Sequence, residues 1–265
     1  MEVFSIFNRY LIRTAGTALV WVGGLLAGPV SAQSLLVGIP SADVAKTGHV
    51  EFTHESQWAR KNGRLDWTSF NFLTYGVRKN TELALSVVNV ASPGSQNVAV
   101  GFGYKTLVLI PALDGRLTRE TKLAVGQMVY AGVGPVRAQA RPLGGWVYGH
   151  LSSRLVRTQT RLTAGVSYGS SHVFGFRYGP EYAGVEGEAS ASTPRTPFCF
   201  IGGVEQPITK HVAFVMDWYS GRHELAALIP AVQVNIGKQV LILGYKRAND
   251  RRAGDALVTE LMVHF

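Results

Sequence analysis

The sequence predicts an all-β fold, a transmembrane antiparallel β-barrel of about twelve strands. Many segments of about ten residues alternate apolar side chains with polar or small ones, the pattern of a strand with lipid on one face. The 265 residues are 46% hydrophobic and only 16% charged, so a large apolar area must be buried or exposed to lipid. The linkers between the segments alternate between short and long, as the two ends of a membrane-spanning barrel require.

The first 32 residues have the three parts of a secretory signal peptide. Arg9 and Arg13 precede an apolar run over residues 15–27, and a stretch of small residues ends at Ala32. We expect cleavage after Ala32, because the apolar run is too short to span a bilayer comfortably as a retained anchor. Residues 33–265 are then expected to form a single outer-membrane β-barrel domain. Cys199 is the single cysteine, so no intramolecular disulfide can form, and its distance from the cleavage point disfavours a lipoprotein.

Twelve segments combine the two-residue period with enough length to cross a bilayer, for which about 9–11 residues suffice. Beyond the leader no run of roughly 18 or more apolar residues occurs, so no transmembrane helix is predicted. Twelve is an even number, as single-chain bacterial barrels require. In chain order the segments are residues 48–57, 65–77, 82–90, 97–108, 121–131, 143–155, 158–169, 197–206, 211–219, 224–235, 239–246 and 255–265.

The connections alternate in length and polarity. One departs from the rule: residues 110–120 should form a short turn but are long, so we expect either that the flanking strands extend further or that a short helix lies there. The short connections, interpreted as periplasmic turns, are residues 78–81, 156–157, 207–210 and 236–238. The outer loops, mostly longer and more polar, are residues 58–64, 91–96, 132–142, 170–196, 220–223 and 247–254.

The facing of several strands follows from placing apolar side chains toward lipid, since a charge at the bilayer midplane costs roughly 2–4 kcal/mol. The second, fifth and sixth segments fit either facing. Side chains predicted to face lipid are Leu83, Leu85, Val87, Val98, Val100, Phe102, Tyr104, Leu162, Ala164, Val166, Tyr168, Phe198, Phe200, Val204, Val212, Phe214, Met216 and Trp218.

The opposite faces are small or polar and predict an interior of mixed charge. Two interpretations stay open. The charged residues can line a narrow path that attracts or orients a small polar solute. Alternatively, they form an internal salt-bridge network that fills the barrel. The candidate lumen-lining residues are Glu51, Glu55, Lys105, Arg161, Glu205, Asp217 and Glu260.

The net charge of +9 is concentrated in the predicted outer loops. Arginine clusters there suit the phosphates of lipopolysaccharide, because guanidinium groups bind phosphate bidentately. The alternative is a set of solvated loop ends that keep the chain soluble in transit. Export and the scattered distribution disfavour nucleic acid as a partner. The candidates for lipopolysaccharide contact are Arg60, Lys61, Arg64, Arg247, Arg251 and Arg252.

The longest predicted loop, residues 170–196, combines tyrosines and glutamates with many small residues. It can fold inward as a constriction or remain a mobile surface loop, and its composition favours mobility.

One pair of residues raises the possibility of catalysis. Some outer-membrane barrels are lipases or lipid A deacylases that use a Ser and a His at the lipid-facing wall, and His54 and Ser56 share one face of the first segment. Residues two apart on a strand are too distant for a confident pair, and the surrounding sequence contains no recognised motif. We therefore expect an ordinary polar strand end. No spacing of His, Asp or Cys resembles a metal site, and no cofactor is expected.

The last segment ends on Phe265, with Leu257, Leu261 and Val263 on the same face and Glu260 on the other. This ending resembles the C-terminal strand of bacterial outer-membrane β-barrels, in which a terminal aromatic residue is the signal read by the barrel assembly machinery. The resemblance implies location in the outer membrane of a Gram-negative bacterium. It also implies that Phe265 is an assembly signal.

Residues 71–85, with a Tyr-Gly pair before a turn and a Glu-Leu pair after it, form a recognisable strand-turn-strand unit, and residues 204–221 form another. These units resemble hairpins of uncharacterised outer-membrane barrels, some of which are grouped as the meta-pathway of phenol degradation family. The resemblance implies a role in passing small, often aromatic, compounds across the outer membrane. It transfers no functional residues.

The sequence as a whole predicts a monomeric outer-membrane barrel that acts as a passive channel or facilitator for a small polar or aromatic solute, and not an enzyme. The first alternative is a structural or adhesive barrel with a blocked lumen that contacts lipopolysaccharide or a partner. The second is a lipid-modifying outer-membrane enzyme. A soluble periplasmic β-sandwich is the rival fold, but it has no need of outward aromatic residues.

Overall fold

A computed structural model describes residues 37–61, 64–88, 98–133, 143–169, 198–221, 225–249 and 254–265. In these residues twelve antiparallel strands close into a barrel, in which β1 pairs with both β2 and β12. The predicted fold class is confirmed. The strands are β1 (Val50–Lys61), β2 (Arg64–Arg78), β3 (Thr81–Val88), β4 (Ala99–Leu109), β5 (Thr118–Gly132), β6 (Leu143–Leu155), β7 (Arg161–Gly169), β8 (Phe198–Pro207), β9 (Val212–Tyr219), β10 (Ala227–Ile236), β11 (Gln239–Ala248) and β12 (Ala256–His264).

Each predicted segment coincides with one strand, and β6 has the predicted bounds. The clearest difference is at β1, which was predicted to end at residue 57 and continues to Lys61. Its outer end stays paired with β2 as far as Lys61 opposite Arg64. Backbone pairing between strands does not depend on lipid, so the polar residues after Trp58 extend the sheet instead of forming a loop.

The long connection between β4 and β5 contains both of the features expected there. A 3₁₀ helix spans Pro111–Leu113, and β5 begins early, at Thr118. Asp114 closes the turn by accepting the backbone N–H groups of Thr121 at 2.9 Å and Glu120 at 3.2 Å. Hydrogen bonds from Thr121 lower the pKa of the Asp114 carboxyl most, and the bond from Glu120 lowers it further.

The predicted facing of the strands is confirmed. Phe102, Phe200 and Tyr168 are 59%, 57% and 56% exposed on the outer wall, where lipid covers them. The alternate positions are buried inside the barrel, with Lys105 only 3% exposed. The structure also settles β2, β5 and β6, since Leu73 and the outward valines of β5 and β6 are exposed. Among the described residues, no helix is long and apolar enough to cross a membrane.

The lumen of the barrel is occupied by the chain that precedes β1. Residues 37–45, here called the lumenal segment, are nearly all buried, with Val37 and Ile39 fully so. The segment meets the wall at Gly76, whose backbone N–H donates to His49 O at 3.1 Å while its carbonyl accepts Gly48 N–H at 2.7 Å. The sequence analysis did not predict this segment.

Candidate functional site

The outer anchor of the lumenal segment is Asp217 on β9. One oxygen of its fully buried carboxylate, Oδ2, accepts three successive backbone N–H groups, from Val37 at 2.8 Å, Gly38 at 2.6 Å and Ile39 at 3.1 Å. The Tyr219 hydroxyl donates to Gly38 O at 3.2 Å. A carboxylate that accepts several N–H groups forms strong, charge-assisted hydrogen bonds. These bonds therefore fix one end of the segment inside the barrel.

The central anchor is Asp43, in the segment itself. Its carboxylate accepts Lys122 Nζ of β5 at 2.9 Å and pairs with the Arg161 guanidinium of β7, which also lies 3.6 Å from Glu205 of β8. Burial raises the pKa of Asp43, but Arg161 and then Lys122 lower it by more, to about 2. The carboxylate is consequently charged at neutral pH and joins the segment directly to two strands of the wall, β5 and β7.

The inner anchor is Glu82, at the periplasmic end of β3. Its Oε2 accepts the backbone N–H of Ala45 at 2.7 Å, and its Oε1 lies 3.0 Å from Lys105 Nζ of β4. Both side chains are almost completely buried. The pair binds the segment just before the chain leaves the lumen at Gly76.

The seven candidate lumen residues all lie inside the barrel, where Arg161, Glu205, Asp217 and Lys105 belong to the anchors. Of the other three, Glu51 pairs with His264 at 3.1 Å. Glu55 accepts the amide of Gln57, which in turn accepts Lys246 Nζ at 3.2 Å. Glu260 is 1% exposed, and its carboxylate has no hydrogen-bond partner among the described residues. Whether these residues guide a solute stays a prediction.

A cavity of about 120 Å³ lies between the lumenal segment and the strands. Its lining is mostly apolar, with Lys105 and Lys246 among the polar members. The rings of Trp146 and Tyr148 are 4.8 Å apart, and the Trp146 indole N–H has no hydrogen-bond partner in the described part of the chain. Sequence reasoning missed this site because the facing of β2 and β6 was ambiguous. The residues whose aromatic side chains line it are Phe70, Phe72, Tyr130, Trp146, Tyr148 and Tyr219.

The outer rim is only partly described. Arg247 is exposed at the outer end of β11. The side chains of Arg60, Lys61 and Arg64 lie outside the described residues, as do Arg251, Arg252 and the loop of residues 170–196. Contact with lipopolysaccharide stays a prediction.

Phe265 lies at the end of the barrel that the sequence predicts to face the periplasm, and it is 63% exposed. Its backbone N–H donates to Val50 O at 2.9 Å, and its carbonyl lies 2.8 Å from His49 Nδ1. The last residue is thus joined to the start of β1, where the barrel closes. Its role as an assembly signal stays a prediction.

On the outer wall, the expectation that His54 and Ser56 are too far apart was wrong. His54 Nε2 lies 3.0 Å from Ser56 Oγ, because the imidazole ring extends along the strand and covers the spacing of about 7 Å between alternate residues. His54 Nδ1 lies 2.8 Å from Oδ1 of Asn71, the residue opposite His54 in β2. Asn71 was not a candidate, since only the β1–β2 register reveals it. The described residues contain no group of His, Cys, Asp or Glu suited to a metal ion.

A closed barrel with an apolar outer wall, whose interior holds buried charged groups as well as apolar clusters, is a membrane-spanning β-barrel of the outer-membrane type. The resemblance to bacterial outer-membrane barrels is therefore confirmed at the level of the fold.

Comparison with solved structures finds barrels of this type. An outer membrane channel of Pseudomonas putida F1 is 12% identical, with a TM-score of 0.45 over 90% of this chain and 99% of that one. The outer membrane protein Omp33 of Acinetobacter baumannii is 8% identical, with a TM-score of 0.43 over 82% and 98%. The translocator domain of the autotransporter NalP from Neisseria meningitidis is 9% identical, with a TM-score of 0.35 over 100% and 97%. No protein-family model and no curated protein matches the chain, so membership of the phenol-degradation family stays a prediction.

Proposed function

We propose that the protein is an outer-membrane channel or facilitator for a small solute, and that the lumenal segment closes it. The observation that carries this proposal is the aromatic cavity beside the segment. A barrel that needed only to be filled could pack this space with side chains. Passage through the lumen then requires the segment to move.

The contacts that hold the lumenal segment can be replaced by contacts with water. Its anchors are hydrogen bonds and ion pairs to side chains, which water can replace, whereas a strand of the wall is held by continuous backbone pairing. Cleavage after Ala32, as the sequence predicts, leaves four residues before Val37. The segment is then the free end of the mature chain and can leave the lumen without unfolding the barrel.

The cavity favours an apolar or aromatic solute of about one ring. An apolar protein cavity of about 150 Å³ binds benzene, and this one has about 120 Å³. Trp146 and Tyr148 offer ring faces for stacking. Its polar edge holds Lys105 and Lys246 together with Glu82 and Glu55, so the charges are balanced there and suit a neutral polar substituent such as a hydroxyl.

Binding of benzyl alcohol to the folded barrel tests this solute class. Trp146→Ala is expected to weaken binding at least about fivefold, since loss of an aromatic contact costs about 1 kcal/mol or more. Titration calorimetry in detergent measures the affinity. Tyr168→Ala, which removes an aromatic ring from the outer wall, serves as the matched control and is expected to bind as the wild type does. If the Trp146→Ala variant binds with the same affinity as the wild type, the cavity is not the binding site for the solute.

A second candidate is a barrel whose lumen is permanently blocked. The ion pairs of Asp43 favour it, because they join the segment to two strands of the wall at once. Conductance in planar bilayers separates the candidates: a gated channel conducts when the anchors are removed, and a structural barrel does not.

A further inference from the structure

We propose that Ser56, His54 and Asn71 form a nucleophilic relay on the lipid-facing wall, with which the barrel hydrolyses a fatty acyl ester of an outer-leaflet lipid. This site is separate from the lumen, because the alternate residues Glu51 and Glu55 of the same strand face inward. The proposal does not depend on solute passage. It replaces the expectation that the protein has no enzymatic activity.

The position of these polar residues is unusual for a barrel wall. The same face of β2 continues with Leu73, Tyr75 and Val77, all exposed to lipid. Ionisable residues on a lipid-facing surface are costly, and their presence indicates a functional site. His54 and Asn71 lie directly opposite each other in the β1–β2 register, so the backbone itself brings the two strands' polar residues together.

The hydrogen bonds fix where the protons are. Asn71 Nδ2 donates to the carbonyl of Val87 at 3.3 Å, so Asn71 Oδ1 is the atom that faces His54. An amide oxygen can only accept, and His54 Nδ1 must therefore carry the proton. His54 Nε2 is left with its lone pair toward Ser56 Oγ at 3.0 Å. This is the tautomer a general base needs, and a Cys-His-Asn arrangement uses the amide in the same way.

Two tryptophans indicate how deep in the membrane the relay lies. Trp58 and Trp67 are paired across β1 and β2, about 7 Å along the strand from Ser56 toward the outer end. Outward aromatic residues form the girdle at the interface between membrane and water. Ser56 therefore lies just below this interface, where the ester bonds of lipids join headgroups to acyl chains.

The wall beside the relay offers a place for the substrate. A surface groove is lined by Trp58, Trp218 and Leu257, with Arg247 and Asp255 as its charged members, of which Asp255 is bonded to the Tyr245 hydroxyl. The apolar side chains fit an acyl chain, and a guanidinium binds phosphate through paired hydrogen bonds. The groove thus suits a phosphorylated lipid, whether a glycerophospholipid or lipopolysaccharide.

Hydrolysis follows the two steps of an acyl-enzyme mechanism. Ser56 Oγ attacks the ester carbonyl and its proton passes to His54 Nε2, which then protonates the alcohol oxygen as the ester C–O bond breaks. Water repeats the sequence on the acyl-serine, releasing the fatty acid and restoring the serine. The Trp67 indole N–H, 3.0 Å from Ser56 Oγ, is the donor placed to meet the oxyanion. Ser56 is only 3% exposed, so the side chains around it must shift to admit an ester while the Trp67 N–H stays within reach.

Release of fatty acid from lipid in mixed micelles tests the proposal. The folded wild type is incubated with phosphatidylethanolamine in one arm and lipopolysaccharide in the other, and free fatty acid is measured by mass spectrometry. Ser56→Ala is expected to lower the rate by about a thousandfold or more. Thr259→Val serves as the matched control, because Thr259 lies opposite Ser56 on β12, and it is expected to keep the wild-type rate. The arm that yields fatty acid identifies the lipid.

Covalent labelling gives a readout that does not depend on turnover. A long-chain fluorophosphonate is expected to modify Ser56 in the wild type and not in His54→Ala. Asn71→Ala is expected to slow labelling, and Asn71→Asp, which retains an acceptor for His54 Nδ1, to restore it. Folding of each variant is checked by heat-modifiable gel mobility. Absence of both labelling and fatty acid release in the folded wild type would overturn the proposal, as would release that persists in Ser56→Ala. Neither result bears on conductance.

Discussion

Replacing Asp43 with Ala is expected to turn a barrel with little conductance into one that opens frequently in planar bilayers. Asp43 is the only charge of the described lumenal segment, and its loss leaves Lys122 and Arg161 without their shared carboxylate. Removing one partner of a buried ion pair costs about 3–5 kcal/mol. A penalty of about 3 kcal/mol on the closed state raises the open population by about a hundredfold or more.

The remaining anchors decide how far the segment moves. In the single variant the three N–H bonds to Asp217 still hold the outer end, so brief openings are expected. Asp43→Ala combined with Asp217→Ala removes two of the three anchors and is expected to conduct steadily. Asp114→Ala is the matched control, because that carboxylate bonds only its own periplasmic turn and should leave the lumen closed. A folded double variant without conductance would favour the permanently blocked barrel.

The strands were predictable because their signal is local. Alternation with a period of two follows directly from one face in lipid and the other in the lumen, and a charge shows which face is inward. Lys105 and Asp217 were placed inside on that ground alone. Their partners were not predictable, since Asp217 binds backbone N–H groups about 180 residues earlier in the chain and pairs with no cation among the described residues.

The lumenal segment has no comparable signal. Residues 37–45 show neither alternation nor a helical period, and what holds them is a set of side chains from four different strands. Only the closed barrel brings those strands around one axis. The outer-wall relay illustrates the same limit at shorter range: the sequence placed His54 and Ser56 on one face, but Asn71 becomes their neighbour only through the register of the hairpin.

Gly76→Ala is expected to release the segment by steric means, without any change of charge. A Cβ atom at Gly76 would lie 2.1 Å from the carbonyl oxygen of Lys46 and 2.5 Å from that of Ala45. Both are backbone atoms, which cannot rotate away as a side chain does, so the chain entering the lumen must shift. The shift strains the hydrogen bonds that join Gly76 to Gly48 and His49, and it pulls Ala45 from Glu82.

The variant should therefore conduct in planar bilayers and unfold at a lower temperature than the wild type, as measured by the loss of heat-modifiable mobility. Gly202→Ala is the matched control in the wall of β8. Its Cβ would meet its nearest neighbour, Thr163 O, at an ordinary 3.7 Å, so conductance and Tm should not change. Conductance in both the Gly76→Ala and the Asp43→Ala variants would show that the lumenal segment is the gate. The two changes have only one effect in common, which is that they displace this segment. A closed Gly76→Ala barrel with the Tm of the wild type would instead mean that the segment is not seated against β2.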